Sequence, residues 1–224
     1  ATGTNEVTNM LEEIFHPYLE DDIVKRLQYD TYIRELERYG DHTMSLSEDL
    51  FFHDSEAVAK LLLFTPGNET IDRWLFALKG TDDMMTAFGL SDTGKLDMCR
   101  SQYNSFFAEF NGNDTLLLQL NNKYRQHTKL IANILKQAPG DTSLSPKATA
   151  VFEERTAVLK MICQEMEQMA AAGIIPAQMH LELLPHYIHM FMNRIFVANA
   201  RLHELVIHHY LTKYYTSQVA QKSK

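Results

Sequence analysis

Apolar residues recur along most of this chain at the spacing of helices buried on one side. Val7, Met10, Leu11, Ile14 and Phe15 fall at i, i+3, i+4, i+7 and i+8, and Pro17 marks the expected end of that first helix. The period then changes. From Ile23 to Ile33, Leu27, Tyr29, Thr31 and Ile33 alternate with Arg26, Gln28, Asp30 and Tyr32, the pattern of a half-buried strand. No second segment alternates as clearly, so the strand needs a partner from elsewhere in the chain, from another subunit, or from a segment the sequence lacks.

Helical signals dominate after Tyr39-Gly40. Ser45-Leu-Ser-Glu48 has the form of a capping box, and Asp54-Ser55 offers an N-cap for a helix reaching Phe64. Thr65 to Asn68 reads as a turn, followed by helices over 69–88 and 92–110. Asn111-Gly-Asn113 breaks the second of these before Asp114 caps another reaching Gln137, which predicts an antiparallel helix pair. Ala138-Pro-Gly140 opens a loop. Ser145-Pro146 then supplies an N-cap with proline in the first helical turn, and Gly173 the C-terminal stop. A last helix starts after Pro185 and continues, bent, to Tyr215, with a fraying tail from Lys213 to Lys224. The pattern predicts a mainly α fold with a small β element (α+β), about seven or eight helices and one short N-terminal strand, in a single domain over 1–224.

Composition narrows the classes. With 45% hydrophobic and 22% charged residues the chain is globular, and no stretch approaches the roughly 18 uninterrupted apolar residues of a spanning helix. A net charge of −8 argues against generic phosphate-backbone binding. Cys99 and Cys163 are too few for a disulfide framework, and the polar start resembles no signal peptide, so a cytoplasmic location is expected. Both cysteines, Trp74, and Met161, Met166 and Met169 read as packing residues.

Phosphate-cradling glycine loops, nucleophile elbows and paired C-x-x-C motifs are missing, and two local constellations remain. In Tyr32-Ile-Arg-Glu-Leu-Glu-Arg-Tyr-Gly40, Arg34 and Arg38 share a side and could grip a carboxylate or oxyanion bidentately, while Glu35 and Glu37 could accept from an ammonium. A solvated, salt-bridged stretch is the alternative reading. In His186-Tyr-Ile-His-Met-Phe-Met-Asn-Arg194, His186, His189 and Asn193 fall within about 60° of each other beside the apolar stripe Ile188, Phe191, Met192 and Ile195. A half-buried imidazole there suits proton transfer near neutral pH; the alternative is an ordinary hydrogen-bonded histidine. Metal binding would need a third ligand, for which His203, His208 or His209 could serve; otherwise these are surface or interface residues.

Asp30-Thr-Tyr-Ile-Arg-Glu-Leu-Glu-Arg-Tyr-Gly40 followed by Ser47-Glu-Asp-Leu-Phe-Phe-His-Asp-Ser55 resembles the D-T-Y-x-x-E-x-E-R-Y-G-G and E-x-L-F-x-x-D-S signature of the C-terminal domain of lantibiotic dehydratases. His189-Met-Phe-Met-Asn-Arg194 is similar to the H-M-x-x-N-R near that domain's end. The same domain stands alone in thiopeptide-type bacteriocin biosynthesis proteins. Asp41 replaces the second glycine of the signature. The family's opening strands, with an R-Y-x-D-P-x-x-H-L-R-L-R segment and an active-site arginine, have no counterpart. The expectation is therefore a truncated chain or strands supplied elsewhere.

The resemblance implies glutamate elimination from glutamylated serine or threonine of a ribosomal precursor peptide, leaving dehydroalanine or dehydrobutyrine. Glutamylation would fall to a separate protein using glutamyl-tRNA. The implied site uses Arg38 and His189 for catalysis, with Glu35, Arg34, Asn193 and Arg194 on the substrate side, no metal and no organic cofactor. A homodimer is compatible with this reading. Two alternatives stand beside it. One is a thiopeptide pyridine synthase joining two dehydroamino acids with leader expulsion. The other is a non-catalytic scaffold that captures the leader peptide by strand addition along Ile23 to Ile33.

Overall fold

A computed structural model describes residues 2–64, 69–136 and 144–222 of the chain. The predicted turn at Thr65 to Asn68, the loop at Ala138-Pro-Gly140 and the final Ser223-Lys224 lie outside the described residues. Nine helices are present among the described residues: α1 (Thr2–Glu20), α2 (Leu36–Tyr39), α3 (Met44–Leu63), α4 (Glu69–Ala87), α5 (Asp92–Glu109), α6 (Asp114–Lys136), α7 (Pro146–Ala171), α8 (Met179–Ile195) and α9 (Ala200–Lys222). No described residue is in a strand, so the fold is all-α and the expected α+β class with its N-terminal strand is wrong.

The reason is visible in the first of two compact units, residues 1–35. Alternation makes a strand only when a neighbouring strand supplies the ladder. Here residues 25–35 run as irregular chain, and Ile23, Tyr29, Tyr32 and Ile33 stay exposed. The Tyr29 hydroxyl lies 3.4 Å from the Thr8 carbonyl and 3.5 Å from Glu12 Oε1, which ties the segment back to α1. Helix α1 itself passes through Pro17, whose fixed φ is helical even though one hydrogen bond is lost, and ends where Asp22 turns left-handed at φ 61°.

The second unit, residues 36–224, holds the main core. Helices α3 and α4 each pack on both α7 and α8, and α9 lies along α5 with further contacts to α6 and α8. The predicted α5–α6 pairing is therefore minor: the two meet where Phe106 and Leu120 share a small cluster with Leu205 of α9. Where the chain supplies a side-chain cap the predicted boundaries hold. Ser91 accepts from Gly94 N at the start of α5 and Ser145 from Ala148 N at α7, while Gly173 turns left-handed past the end of α7; at α6 the cap is Asn113, which accepts from Leu116 N, and the expected cap Asp114 is the first helical residue.

Elsewhere long-range bonds override local signals. Helix α3 does not start at the Ser45 capping box or at Asp54. It begins at Met44, where the Thr43 hydroxyl donates to the Tyr39 carbonyl, and it runs straight through Asp54-Ser55. Ser55 donates back to the Phe51 carbonyl, and the Asp54 carboxylate reaches across to α7. The expected single helix after Pro185 is two helices. Pro185 lies inside α8, and the break falls at Phe196–Asn199, where Asn199 has φ 55°. The tail does not fray at Lys213: Tyr214 and Tyr215 are buried, and Lys222 bonds Asp92 at 2.6 Å. Cys99, Cys163 and Met166 are core residues as expected, whereas Met161 is exposed.

One buried constellation joins four helices. Arg155 of α7 donates from Nε to Asp54 Oδ1 of α3 at 2.7 Å and from Nη1 to the Gly80 carbonyl of α4 at 3.0 Å, and its guanidinium lies 4.0 Å from the ring centroid of Phe191 on α8. Burial pushes the Asp54 carboxyl up against the downward pull of Arg155, so the pair is an expensive one that fixes which helices meet. Gly80 is needed here, because a Cβ at that position would stand inside the Phe191 ring.

Two predictions follow from this packing. Gly80→Ala lowers the unfolding free energy by about 1–3 kcal/mol through overpacking, and Asp54→Ala lowers it by about 3–5 kcal/mol by stranding Arg155; urea unfolding measures both. His208 and His209 are buried, not surface residues, and burial pulls both rings down to about 4 from 6.5, with Lys213 adding to the effect at His209. The unfolded chain therefore takes up protons first on acidification. The stability these neutral rings contribute is complete above about 6.5 and is lost as pH falls towards about 4. The difference in unfolding free energy between His208→Phe and the parent, followed across that window, checks the sign: the variant gains on the parent as pH drops.

Candidate functional site

Helix α8 carries His189, Asn193 and Arg194, half of the predicted site, and its register divides those residues between two faces. At 100° per residue, His189 and Asn193 lie about 40° apart, while Arg194 stands about 140° from His189. The buried stripe Ile188, Phe191, Met192 and Ile195 holds the helix in that orientation against the core.

On the first face, His189 Nδ1 is 2.8 Å from Glu204 Oε1 of α9, and its Nε2 is 3.1 Å from Asn193 Nδ2. The imidazole side chain is 31% exposed and the Glu204 side chain only 2%, so one edge of the ring meets a buried carboxylate and the other meets the surface. Arg201, one turn before Glu204, forms a bidentate pair with Glu109 at the end of α5, and this pairing holds the Glu109 carboxyl low, with His189 adding a smaller pull. Glu204 is not among the residues that motif and spacing single out. It lies in an ordinary-looking helix, and its only signal is an acidic side chain near a helix start, fifteen residues past His189.

On the second face, Arg194 is tied to α3. Its Nε donates to the Ser55 hydroxyl at 2.8 Å and its Nη1 to the Met190 carbonyl at 2.7 Å, with the guanidinium 5.1 Å from the Phe51 ring centroid. Burial lowers its basicity while Asp54 and Tyr39 nearby hold it up. These contacts fasten the half-buried guanidinium to α3 and to the preceding turn of its own helix. The structure brings His189 together with Asn193 and sets Arg194 apart from them.

Arg38 sits exposed on α2, and the next residue, Tyr39, is buried against α8. The Tyr39 ring stacks on Tyr187 at 6.0 Å and 6°, meets Phe51 edge-on at 5.3 Å, and meets His186 edge-on at 6.4 Å. The Tyr187 hydroxyl bonds Ser47 at 2.8 Å, closing the contact between α3 and α8. His186 and His189 are i, i+3 neighbours, about 5–6 Å apart at Cβ. The segment carrying Arg38 therefore docks on α8 at His186 and Tyr187, one turn before the imidazole along the helix and towards the face that bears Arg194. Gly40 supplies the left-handed residue after Arg38-Tyr39, at φ 75°, and Asp41 is not called on to do so. Arg34 and Glu35 are exposed and belong to the first unit, whereas Arg38 and His189 belong to the second.

Of the other histidines considered as metal ligands, His203 stacks on Phe196 at 4.0 Å and His208 on Phe106 at 6.0 Å, both as packing groups. A cavity of about 580 Å³ between α4, α6 and α7, lined by Lys79, Asp83, Phe152 and Lys160 among others, contains none of the candidate residues. Among the described residues no helix is long and apolar enough to cross a membrane.

Comparison with known proteins gives one family. The model described as lantibiotic biosynthesis dehydratase C-term matches residues 1–215, almost the whole chain. Neither the curated proteins nor the solved structures yield a match.

The two faces of α8 predict different costs. Arg194→Ala removes the bonds to Ser55 and Met190 and lowers the unfolding free energy by about 1–3 kcal/mol. Asn193→Ala, on the exposed side, stays within about 0.5 kcal/mol of the parent. Urea denaturation of the two variants side by side checks the contrast.

Proposed function

The chain belongs to the lantibiotic biosynthesis dehydratase C-term family, and from that premise we propose that it eliminates glutamate from glutamylated serine and threonine residues of a precursor peptide. Its part in lantibiotic dehydration follows from the family itself; the reaction step and the residue roles are our reading.

Elimination needs a base for the Cα proton, a cation for the enolate-like charge that develops on the neighbouring carbonyl oxygen, and contacts for the departing glutamate. In this reading His189 removes the Cα proton. The electron pair forms the Cα–Cβ double bond as the Cβ–O bond breaks, and glutamate leaves as a carboxylate. The dehydroamino acid keeps all its remaining atoms, and no redox partner enters the balance. Arg38 stabilises the developing negative charge or grips the glutamyl carboxylate, for which a guanidinium fork is suited. Asn193 supports the imidazole. Arg194 acts by holding α8 on α3. A separate protein that uses glutamyl-tRNA supplies the glutamylated peptide.

The observation that carries this reading is the partly exposed imidazole of the H-M-F-M-N-R segment, one turn of α8 from the point where Tyr39, beside Arg38, docks on His186. The test is to incubate the full chain with a glutamylated precursor peptide and weigh the product. The expected result is loss of one glutamate per modified residue, slowed about 10²–10⁴-fold by His189→Ala and strongly slowed by Arg38→Ala. A peptide of unchanged mass, or variants as fast as the parent, overturns it.

A further inference from the structure

We propose that Glu204 is the positioning residue of this site: its buried carboxylate fixes the tautomer and the aim of the His189 ring, so that Nε2 is the nitrogen that works. The inference rests on the reading of His189 as the proton-transfer residue, but its physical part stands apart from that reading.

A carboxylate oxygen accepts hydrogen bonds and cannot donate them. With Glu204 Oε1 at 2.8 Å, Nδ1 of His189 must therefore carry the ring hydrogen, and Nε2 is left with its lone pair. The far side of the ring agrees. Asn193 Nδ2, an N–H donor, sits 3.1 Å from Nε2, which needs an acceptor there. Two neighbours on different helices thus specify the same tautomer. Nε2 is on the side of Asn193, which is exposed, while Nδ1 faces Glu204, which is buried. A substrate displacing the Asn193 amide would meet the basic nitrogen directly.

The same carboxylate matters once the proton has moved. The imidazolium that forms on His189 carries a full positive charge at a half-buried position, and a carboxylate already in contact stabilises it without rearrangement. Two other charged groups stand nearby, Arg201 on α9 and Glu109 on α5, and they are bonded to each other. That leaves Glu204 as the anion in direct contact with the ring. Its own position is held by α9, which packs along α5, and by the buried Leu205 beside it. The logic is that of a base oriented by a third group, here assembled from two consecutive helices.

The test uses the full chain with nitrogen-15 in its histidines, at a pH where the ring is neutral. The expected spectrum places the His189 hydrogen on Nδ1, and Glu204→Gln, which can offer either an oxygen or an N–H, mixes the two tautomers. Glu204→Gln is expected to lower kcat for glutamate elimination about 10²–10⁴-fold, in line with loss of a base-orienting carboxylate, while KM stays within about threefold of the parent. Glu204→Asp recovers part of the loss. In a His189→Ala background Glu204→Gln has no further effect on rate. A parent spectrum with the hydrogen on Nε2 overturns the proposal without any variant, as does a folded Glu204→Gln chain with unchanged tautomer or unchanged kcat. If the parent eliminates nothing, the functional reading falls, while the tautomer measurement still decides what Glu204 does.

Discussion

The buried pair of Asp54 and Arg155 is the constraint around which the second unit is arranged. Each partner is almost wholly removed from water, so each is costly without the other, and the geometry that satisfies both also recruits the Gly80 carbonyl and the face of Phe191. Helices α3, α4, α7 and α8 are thereby brought to one point. Because Phe191 belongs to α8, the contact also sets the rotation of the helix that presents His189 on one face and Arg194 on another. Apolar burial supplies the driving force for packing these helices. The ion pair selects one arrangement among those that apolar burial alone would allow.

Much of the helical layout was legible because it is written in local chemistry. Ser145 and Gly173 announce the two ends of α7 through a side-chain cap and a left-handed turn, and the described chain obeys them. The misreadings occur where a distant group changes the meaning of a local signal. Asp54 looks like a cap until Arg155, about a hundred residues later, claims its carboxylate. Alternation from Ile23 to Ile33 looks like a strand, yet no ladder partner is present among the described residues. Pro185 looks like a beginning, but the buried Leu183 and Leu184 carry the helix across it, and the real break at Asn199 was hidden in a run of unremarkable residues.

The geometry of the candidate residues was legible in part, for similar reasons. His189 and Asn193 share a helical face, which spacing alone predicts, and they are in contact. Arg194 belongs to the same sequence motif but not to the same surface, since five residues along a helix is a large rotation. The family match over residues 1–215 accords with the resemblance seen in three short segments. Glu204 escaped because the bond it makes is tertiary, across a helix connection whose position the sequence pattern did not give.

The short connection between α8 and α9 has a consequence for how the contact between His189 and Glu204 forms. His189 and Glu204 are fifteen residues apart in the chain, so closing the loop between them costs little chain entropy compared with pairing residues from opposite ends of a domain. A single helical hairpin thus contains both halves of an oriented imidazole.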